Sequence, residues 1–186
     1  AKKGKRDFIS KFTNELLERH LTAAEVAIKN KQTRKETEEV LKERVGELEI
    51  ILKGIGYVNE LSPKSMDNVI AYGEKLSAPI VSGALNDIGV KSTHLTGGEA
   101  GIVTDNNYGE AGLLMQVTKY QVRRRLEPLL KEGQSPVVTG FIAATQNEET
   151  TTLGRGGSDY TATILGASLE ADEVWIWTDV NGLMTA

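Results

Sequence analysis

Residues 151–169, TTLGRGGSDYTATILGASL, join a glycine-rich turn to a helical segment, and the segments on either side decide the fold class. Before them, SPVVTGFIAAT (residues 135–145) has the composition of a short buried strand running to Gly140 and Phe141. After them, EVWIWTDV (residues 173–180) is dense in bulky and β-branched side chains, which predicts a second buried strand. The order strand, loop, helix, strand predicts a parallel pair with a right-handed crossover, and therefore an α/β sheet covered by helices.

Ligands of such sheets bind beyond the carboxyl ends of the strands. The sequence therefore predicts one crevice surrounded by Gly140 and Phe141, by the loop 154–159, and by Thr178 and Asp179 at the end of the second strand. The helix after the loop is predicted to begin at Ser158 or Asp159 and to end near Leu169.

The glycine loop matches neither common phosphate-binding fingerprint. The P-loop pattern GxxxxGK[ST] is absent from the chain, and GxGxxG fails because Asp159 stands where the third glycine is required. An anion site is still expected, because the free backbone N–H groups of a helix N-terminus attract negative charge. The same helix dipole stabilises the Asp159 carboxylate.

Two anions, a phosphate and a carboxylate, compete for this loop. The planar guanidinium of Arg155 pairs bidentately with either one. Asp159 would repel a phosphate unless Mg²⁺ or a lysine intervened, and no lysine follows the glycines. This favours Arg155 holding a substrate carboxylate while Asp159 faces a phosphoryl-transfer side. A tight turn without a ligand would explain the glycines and Ser158, but it would leave Arg155 unexplained.

The first third of the chain predicts a pair of antiparallel helices. Apolar residues recur at helical spacing in residues 7–28 and 33–55, and a polar turn separates the two segments. About two heptads are too few to favour a coiled-coil dimer over a hairpin within one domain. Further on, Ser62 and Pro63 have the pattern of a helix start, with the helix running towards Leu76 and a second helix beginning at Pro79.

The middle of the chain predicts two short strands and a helix. The strands are expected in residues 90–95 and 100–106, on either side of a glycine pair, and the amphipathic helix in residues 119–131. The arginine run 123–125 is expected on the solvated face of that helix, with pairing at an interface as the alternative.

Composition excludes several classes of protein. The 186 residues carry a net charge of −4, no cysteine, and globular fractions of hydrophobic and charged residues, so no disulfide or thiolate metal site is possible. His20 and His94 have no partners at metal-ligand spacing, so we expect structural roles and no bound metal. No signal peptide or membrane span is evident, which predicts a cytoplasmic protein that binds neither membranes nor nucleic acid.

Several segments resemble the catalytic domain of aspartokinases, in the amino acid kinase family. These segments are VVTGFIAAT (137–145), TTLGRGGSDYTA (151–162), WIWTDVNGL (175–183), YGEKLSAPIVSGAL (72–85) and GGEAGIVTDNNYG (97–109). The helical hairpin also has a counterpart in archaeal-type members. The resemblance covers nearly the whole chain, and TTLGRGGSD is specific within the family to aspartokinases.

The resemblance implies a fold and an activity. The fold would be an α/β, three-layer αβα sandwich of the amino acid kinase (carbamate kinase-like) type, incomplete, with a helical hairpin at its N-terminal end. The activity would be transfer of the γ-phosphoryl group of MgATP to the side-chain carboxylate of L-aspartate, the first step towards lysine, threonine and methionine. Mg²⁺ would accompany ATP, and the parent protein would be a homo-oligomer.

The resemblance also assigns roles to single residues. Arg155 corresponds to the arginine that binds the α-carboxylate of aspartate, and Glu74 to the acid that pairs with its ammonium group. Phe141 and Ser158 would line the amino-acid pocket, and Asp159 would be the catalytic aspartate that organises the reacting groups.

Two further groups of residues complete the implied site. Thr178 and Asp179 would begin the nucleotide site, while Gly154, Gly156 and Gly157 shape the loop. At one position near the nucleotide, where many members carry a tyrosine, this chain has Met184, which puts a contact to the base or ribose there in doubt.

The sequence also departs from the family pattern. The family's opening K-[FY]-G-G-[TS]-S strand, whose lysine stabilises the transferred phosphoryl group, is absent, as are the regulatory ACT domains. We therefore expect residues 1–186 to be part of a catalytic domain, with a hairpin at 1–56 and an α/β part at 57–186, and to be inactive alone. Two alternatives remain: a family member acting on glutamate, carbamate or UMP, and a non-catalytic interaction module.

Overall fold

The computed structural model describes the backbone of residues 2–177 and the side chains of residues 7–177. Within that range the chain forms helices and short strands in the order α1 (Lys2–Ala27), α2 (Lys31–Val58), α3 (Pro63–Ile70), α4 (Tyr72–Asp87), β1 (His94–Leu95), β2 (Val103–Thr104), α5 (Met115–Lys131), β3 (Val137–Val138), β4 (Ile142–Thr145), β5 (Thr150–Thr152) and α6 (Gly157–Leu169).

The predicted helical pair is present as α1 and α2. Asn30 caps α2, because its side-chain oxygen accepts from the backbone N–H groups of Gln32 and Thr33 at 2.9 and 3.1 Å. Apolar side chains from α1, α2 and α4 form one buried cluster, the hairpin core, which contains Ala24, Ile28, Leu41, Val45 and Leu76. The hairpin therefore buries one apolar stripe against α4 of the same chain, while Phe8, Phe12 and Ile50 on its other faces are exposed.

The helix start at Ser62 and Pro63 is confirmed, but the predicted helix boundary at Pro79 is wrong. The Ser62 hydroxyl caps α3, and the break between α3 and α4 falls at Ala71, whereas Pro79 lies inside α4. A proline inside a helix loses one backbone hydrogen bond. Here Pro79 is buried in the face that α4 packs inward, and this tertiary burial offsets the local cost.

The strands form two small sheets. In the first sheet β1 pairs with β3 in parallel, and in the second β4 lies between β2, its parallel neighbour, and β5, its antiparallel neighbour. The segment 135–145, predicted as one strand running to Gly140 and Phe141, contains β3 before these two residues and β4 of the other sheet after them. The sequence does not predict strand β5, because its run of threonines has no alternating apolar pattern.

The predicted buried strand at 173–180 is not found in its described part, residues 173–177. These residues have no strand conformation, and Trp175 and Trp177 are 70% and 85% exposed. β-branched and aromatic composition favours a strand only when a neighbouring strand completes the hydrogen-bond ladder. Among the described residues no strand pairs with this segment, so composition alone does not produce the predicted conformation.

Helix α5 begins four residues earlier than predicted, and its arginine run is not simply solvated. Arg123 donates from Nε to the Ser168 carbonyl oxygen at 2.7 Å, and Arg125 donates to the carbonyl oxygens of Gly98 and Glu99 at 2.6 and 2.9 Å. Only Arg124 of the three remains exposed without such a bond in the described structure. The two bonded arginines fix α5 to α6 and to the turn before β2.

A second apolar cluster, the sheet core, lies between the second sheet and the helices α5 and α6. Its buried members are Ala100, Ile102, Val122, Leu126, Ala143 and Ile164. None of the helices described combines the length and the apolar character needed to cross a lipid bilayer.

Candidate active site

The glycine loop, the first turn of α4 and the β3–β4 junction surround one cavity. Its volume is about 280 Å³, which suits a ligand the size of an amino acid. The residues that line it are Glu74, Phe141, Gly154, Arg155, Gly156, Gly157, Ser158 and Asp159. Side chains far apart in the sequence, predicted above to share a site, therefore do lie around one opening.

Glu74 is the partly buried carboxylate of this cavity. It lies in the first turn of α4, where the helix dipole favours negative charge. Burial raises the pKa of Glu74 above its usual value, and a hydrogen bond from the Gly140 backbone N–H partly opposes this shift. A half-buried carboxylate held by one backbone bond is suited to bind a positively charged ligand group.

The loop leads into α6 through two glycines that have the left-handed backbone conformation. Gly154 and Gly156 have φ angles of 72° and 73°, a conformation that side chains disfavour. The backbone N–H of Gly157 donates to the Gly154 carbonyl oxygen at 3.1 Å, which closes the turn as α6 begins. The positive end of the α6 dipole therefore faces the cavity.

Phe141 is held in a strained conformation beside the loop. Its φ angle is 65°, which costs a non-glycine residue about 1–3 kcal/mol. Two backbone bonds maintain it: its N–H donates to Thr161 Oγ1 at 3.0 Å, and its carbonyl oxygen accepts from Leu153 N–H at 2.9 Å. This left-handed conformation turns the chain from β3 into β4 and places Phe141 at the cavity wall.

Gly140 allows the β3–β4 junction to touch the start of α6. A Cβ atom on Gly140 would lie 2.7 Å from the Ser158 hydroxyl oxygen and 3.0 Å from the Ser158 Cα atom. Any other residue at this position would therefore displace Ser158. The sequence predicts Gly140 and the loop around one crevice, but it does not predict this direct contact between Gly140 and Ser158.

Arg155 and Asp159 are exposed at the rim of the cavity. In the described part of the chain, neither side chain forms a salt bridge or a hydrogen bond. An arginine in a turn with no carboxylate partner is available to bind an anion bidentately. The cavity thus presents a carboxylate on one wall and a free guanidinium on another.

The remaining predicted positions either do not line this cavity or lie outside the described residues. Thr178, Asp179 and Met184 lie outside the described residues. Of the two histidines, His20 has its Nδ1 atom 2.8 Å from the Leu16 carbonyl oxygen, and burial lowers the pKa of His94. No group of three or more potential metal ligands occurs among the residues that were described.

A larger cavity, of about 670 Å³, lies elsewhere, against β2, β4 and α5. Both arginines that line it already have partners. Arg44 pairs with Glu47 at 3.2 Å, and Arg125 is bonded to the two carbonyl oxygens described above. The smaller cavity is the better candidate site, because its guanidinium is unpaired.

Comparison with known proteins identifies the class. Residues 9–186 match the family model described as the amino acid kinase family. The chain belongs to the amino acid kinase family.

Within that family, the similar proteins are aspartokinases. The chain is 37% identical over 147 residues to aspartokinase 3, chloroplastic, of Arabidopsis thaliana, which covers 78% of this chain and 26% of that protein. It is 38% identical over 131 residues to aspartokinase 1 of Bacillus subtilis, which covers 70% of this chain and 31% of that protein. The chain thus spans about a quarter to a third of the curated relatives it matches.

A solved structure shows the same fold. The crystal structure of Escherichia coli aspartokinase III in complex with aspartate and ADP superposes with a TM-score of 0.76 and 27% identity, over 95% of this chain and 36% of that one. The predicted fold class, an incomplete αβα sandwich of the amino acid kinase type, is confirmed by this match.

Proposed function

We propose that the protein containing this chain is an aspartate kinase. It would transfer the γ-phosphoryl group of MgATP to the side-chain carboxylate of L-aspartate, forming 4-phospho-L-aspartate and ADP. One observation carries the proposal: a cavity of about 280 Å³ places the half-buried Glu74 and the unpaired Arg155 on different walls. The similarity to aspartokinases supports it.

The two charges suit the two ends of an amino acid. The Glu74 carboxylate would pair with the substrate ammonium group, and the Arg155 guanidinium with its α-carboxylate. With both groups bound, the side-chain carboxylate of aspartate is the remaining nucleophile. Phe141 and Ser158 would limit the length of the side chain that fits.

The reaction needs no general base. An aspartate carboxylate is ionised near neutral pH, so one of its oxygens can attack the γ-phosphorus while the bond to the ADP oxygen breaks. Catalysis then depends on in-line positioning and on neutralising charge around the phosphoryl group. Asp159, at the positive end of α6, would organise the reacting groups, and Mg²⁺ would enter with ATP.

Substitution of Arg155 tests the proposal in the complete protein that contains this sequence. Arg155→Ala should raise the KM for L-aspartate about tenfold to a hundredfold, since a hydrogen bond to a charged group contributes roughly 1.5–3 kcal/mol. Arg155→Lys should recover part of this loss, because it keeps the charge but not the planar fork. The assay traps the acyl phosphate with hydroxylamine and varies aspartate and ATP separately.

Arg124→Ala is the matched control, because Arg124 is an exposed arginine on α5 away from the cavity. It should leave both KM values unchanged. Equal increases in the KM values for aspartate and for ATP in Arg155→Ala would refute the carboxylate assignment. Turnover of L-glutamate, carbamate or UMP in place of L-aspartate would show that the family member acts on another substrate.

A further inference from the structure

Asp67, on α3, is a buried carboxylate that the proposed reaction does not use. Only 1% of its surface is exposed. Nothing in the local sequence distinguishes it from other helical aspartates. A buried carboxylate is costly unless its oxygens accept hydrogen bonds, so its partners indicate what it does.

The hydrogen-bond partners of its carboxylate lie far away in the sequence. Oδ2 accepts from the backbone N–H of Gly109 at 2.9 Å and of Thr152 at 3.1 Å, and Oδ1 accepts from the Thr152 hydroxyl at 2.9 Å. One side chain therefore joins α3 both to the segment before α5 and to the end of β5.

These partners directly support the glycine loop. Thr152 is the last residue of β5, three positions before Arg155. On the other side, a Cβ atom built on Gly154 would lie 3.4 Å from Glu110 Cγ and 3.8 Å from the Gly109 carbonyl oxygen. The Gly109 segment thus lies against the loop while Thr152 leads into it.

Asp67 is also connected to Glu74, through the backbone hydrogen bonds of α3 and α4. Its backbone carbonyl oxygen accepts from the Ala71 N–H at 3.1 Å, and the Ala71 carbonyl oxygen accepts from the Lys75 N–H at 3.0 Å. The break between α3 and α4 is therefore bridged by helical bonds, and Glu74 follows Asp67 by two helical turns.

We propose that Asp67 is a positioning residue that sets the separation between Glu74 and Arg155. It ties the helix pair that carries Glu74 to the strand end that carries the Arg155 loop. The consequence for substrate rests on the proposed function: the distance between the two charges would decide which amino acid fits. The tie itself can be tested without any activity.

The chain offers a matched control in Asp87. Its carboxylate also accepts two backbone N–H groups, from Lys29 at 2.9 Å and Asn30 at 2.6 Å, but it ties α4 to the turn of the helical hairpin. Asp87→Ala removes the same kind of bond away from the loop.

The experiment measures amide hydrogen exchange in the complete protein that contains this sequence. In Asp67→Ala, the amides of Thr152, Leu153 and Gly157 should exchange at least about tenfold faster than in Asp87→Ala, because loss of the tie opens the loop locally. Asp67→Asn should recover most of the protection, since the amide oxygen still accepts both N–H groups and its NH₂ can donate to the Thr152 hydroxyl.

Two results would overturn the inference. One is equal exchange at these amides in Asp67→Ala and Asp87→Ala, and the other is Asp67→Asn behaving like Asp67→Ala. If Asp67→Ala does not fold, Thr152→Val removes only the bonds of the hydroxyl, to Asp67 Oδ1 at 2.9 Å and to the Gly109 carbonyl oxygen at 3.3 Å. It should give a smaller change at the same amides, and no change there would also overturn the inference.

Kinetics of the complete protein then separate this inference from the proposed function. Asp67→Ala should raise the KM for L-aspartate at least about tenfold more than it raises the KM for ATP. Asp87→Ala should change neither KM value. An inactive wild-type protein would refute the proposed kinase activity, while the exchange data would still decide whether Asp67 holds the loop.

Discussion

The hairpin core and the candidate active site meet at α4 but are stabilised in different ways. Leu76 of α4 is fully buried among apolar side chains of α1 and α2, whereas Glu74, two residues earlier, faces a polar cavity. Apolar burial is strong and undirected, while the cavity depends on a few directed bonds and two charges. Substitutions in the two regions should therefore separate stability from ligand binding.

The largest effect on stability is expected in the hairpin core. Leu41 is fully buried, and Leu41→Ala leaves a cavity, so the free energy of unfolding should fall by about 2–5 kcal/mol. Urea denaturation followed by circular dichroism measures this. Leu41→Met, which conserves volume, should cost less than about 1.5 kcal/mol. A loss as small in Leu41→Ala would show that the hairpin does not rest on apolar burial.

A glycine-to-alanine substitution should weaken substrate binding in the candidate active site but raise stability in the helical hairpin. Gly140→Ala places a Cβ atom 2.7 Å from the Ser158 hydroxyl oxygen, so it should weaken L-aspartate binding about tenfold or more by displacing the loop. Gly46→Ala, in α2, meets no atom within 4 Å and should raise stability by up to about 1 kcal/mol. The KM for aspartate and thermal denaturation measure the two effects.

The comparison breaks down if Gly140→Ala leaves the aspartate KM unchanged, because the contact with Ser158 would then be irrelevant to the site. It also breaks down if Gly46→Ala impairs the site, since the hairpin would then not be independent of it.

The raised pKa of Glu74 leads us to expect that substrate binding depends on pH. Because burial raises its pKa, the carboxylate takes up a proton at a higher pH than an exposed glutamate does. Aspartate affinity should therefore fall as pH decreases through this raised pKa. Glu74→Gln should weaken binding about tenfold at neutral pH and remove this titration from the pH profile of kcat/KM. A titration that persists in Glu74→Gln would assign it to another group.

The same shift has a consequence for stability. In the folded state Glu74 binds its proton more tightly than in the unfolded state, so its contribution favours folding at low pH. That contribution is lost as pH rises from the unfolded pKa through the folded one. Glu74→Gln should consequently be slightly more stable than the wild type at neutral pH, although it binds aspartate less well. Lower thermal stability at pH 7 would contradict this sign.

The smallest effect is expected on the exposed side of the hairpin. Lys35 and Glu39 form an i,i+4 pair at 3.9 Å with side chains 71% and 62% exposed. Lys35→Ala should change the free energy of unfolding by no more than about 0.5 kcal/mol. A double-mutant cycle with Glu39→Ala gives the pair energy, and a value well above this would show that surface charge also supports the hairpin.

The sequence predicted those features that neighbouring residues encode. Apolar spacing predicted both hairpin helices, and Ser62 with Pro63 predicted the start of α3. The loop glycines predicted the start of α6 within one or two residues. In each case the deciding contacts lie within a few positions along the chain, as helix periodicity and capping require.

The errors in prediction share another cause. Local pattern predicts a helix boundary at Pro79, a single strand in residues 135–145 that runs to Gly140 and Phe141, and a strand that includes residues 173–177, whereas the structure differs at each. Whether a proline is tolerated or a strand forms depends on what packs beside it, and those partners are distant in the sequence. Composition and local pattern contain no information about which partner is present.

By itself, the sequence determined the helical hairpin, the glycine loop before α6 and the family resemblance, because these depend on local pattern and on the types of residue present. Only the tertiary structure decided that Gly140 touches Ser158, that its N–H reaches Glu74, and that Asp67 binds Thr152. Such contacts form when packing brings separate segments together. The distance between two charges in a cavity is therefore a property of the fold rather than of any segment.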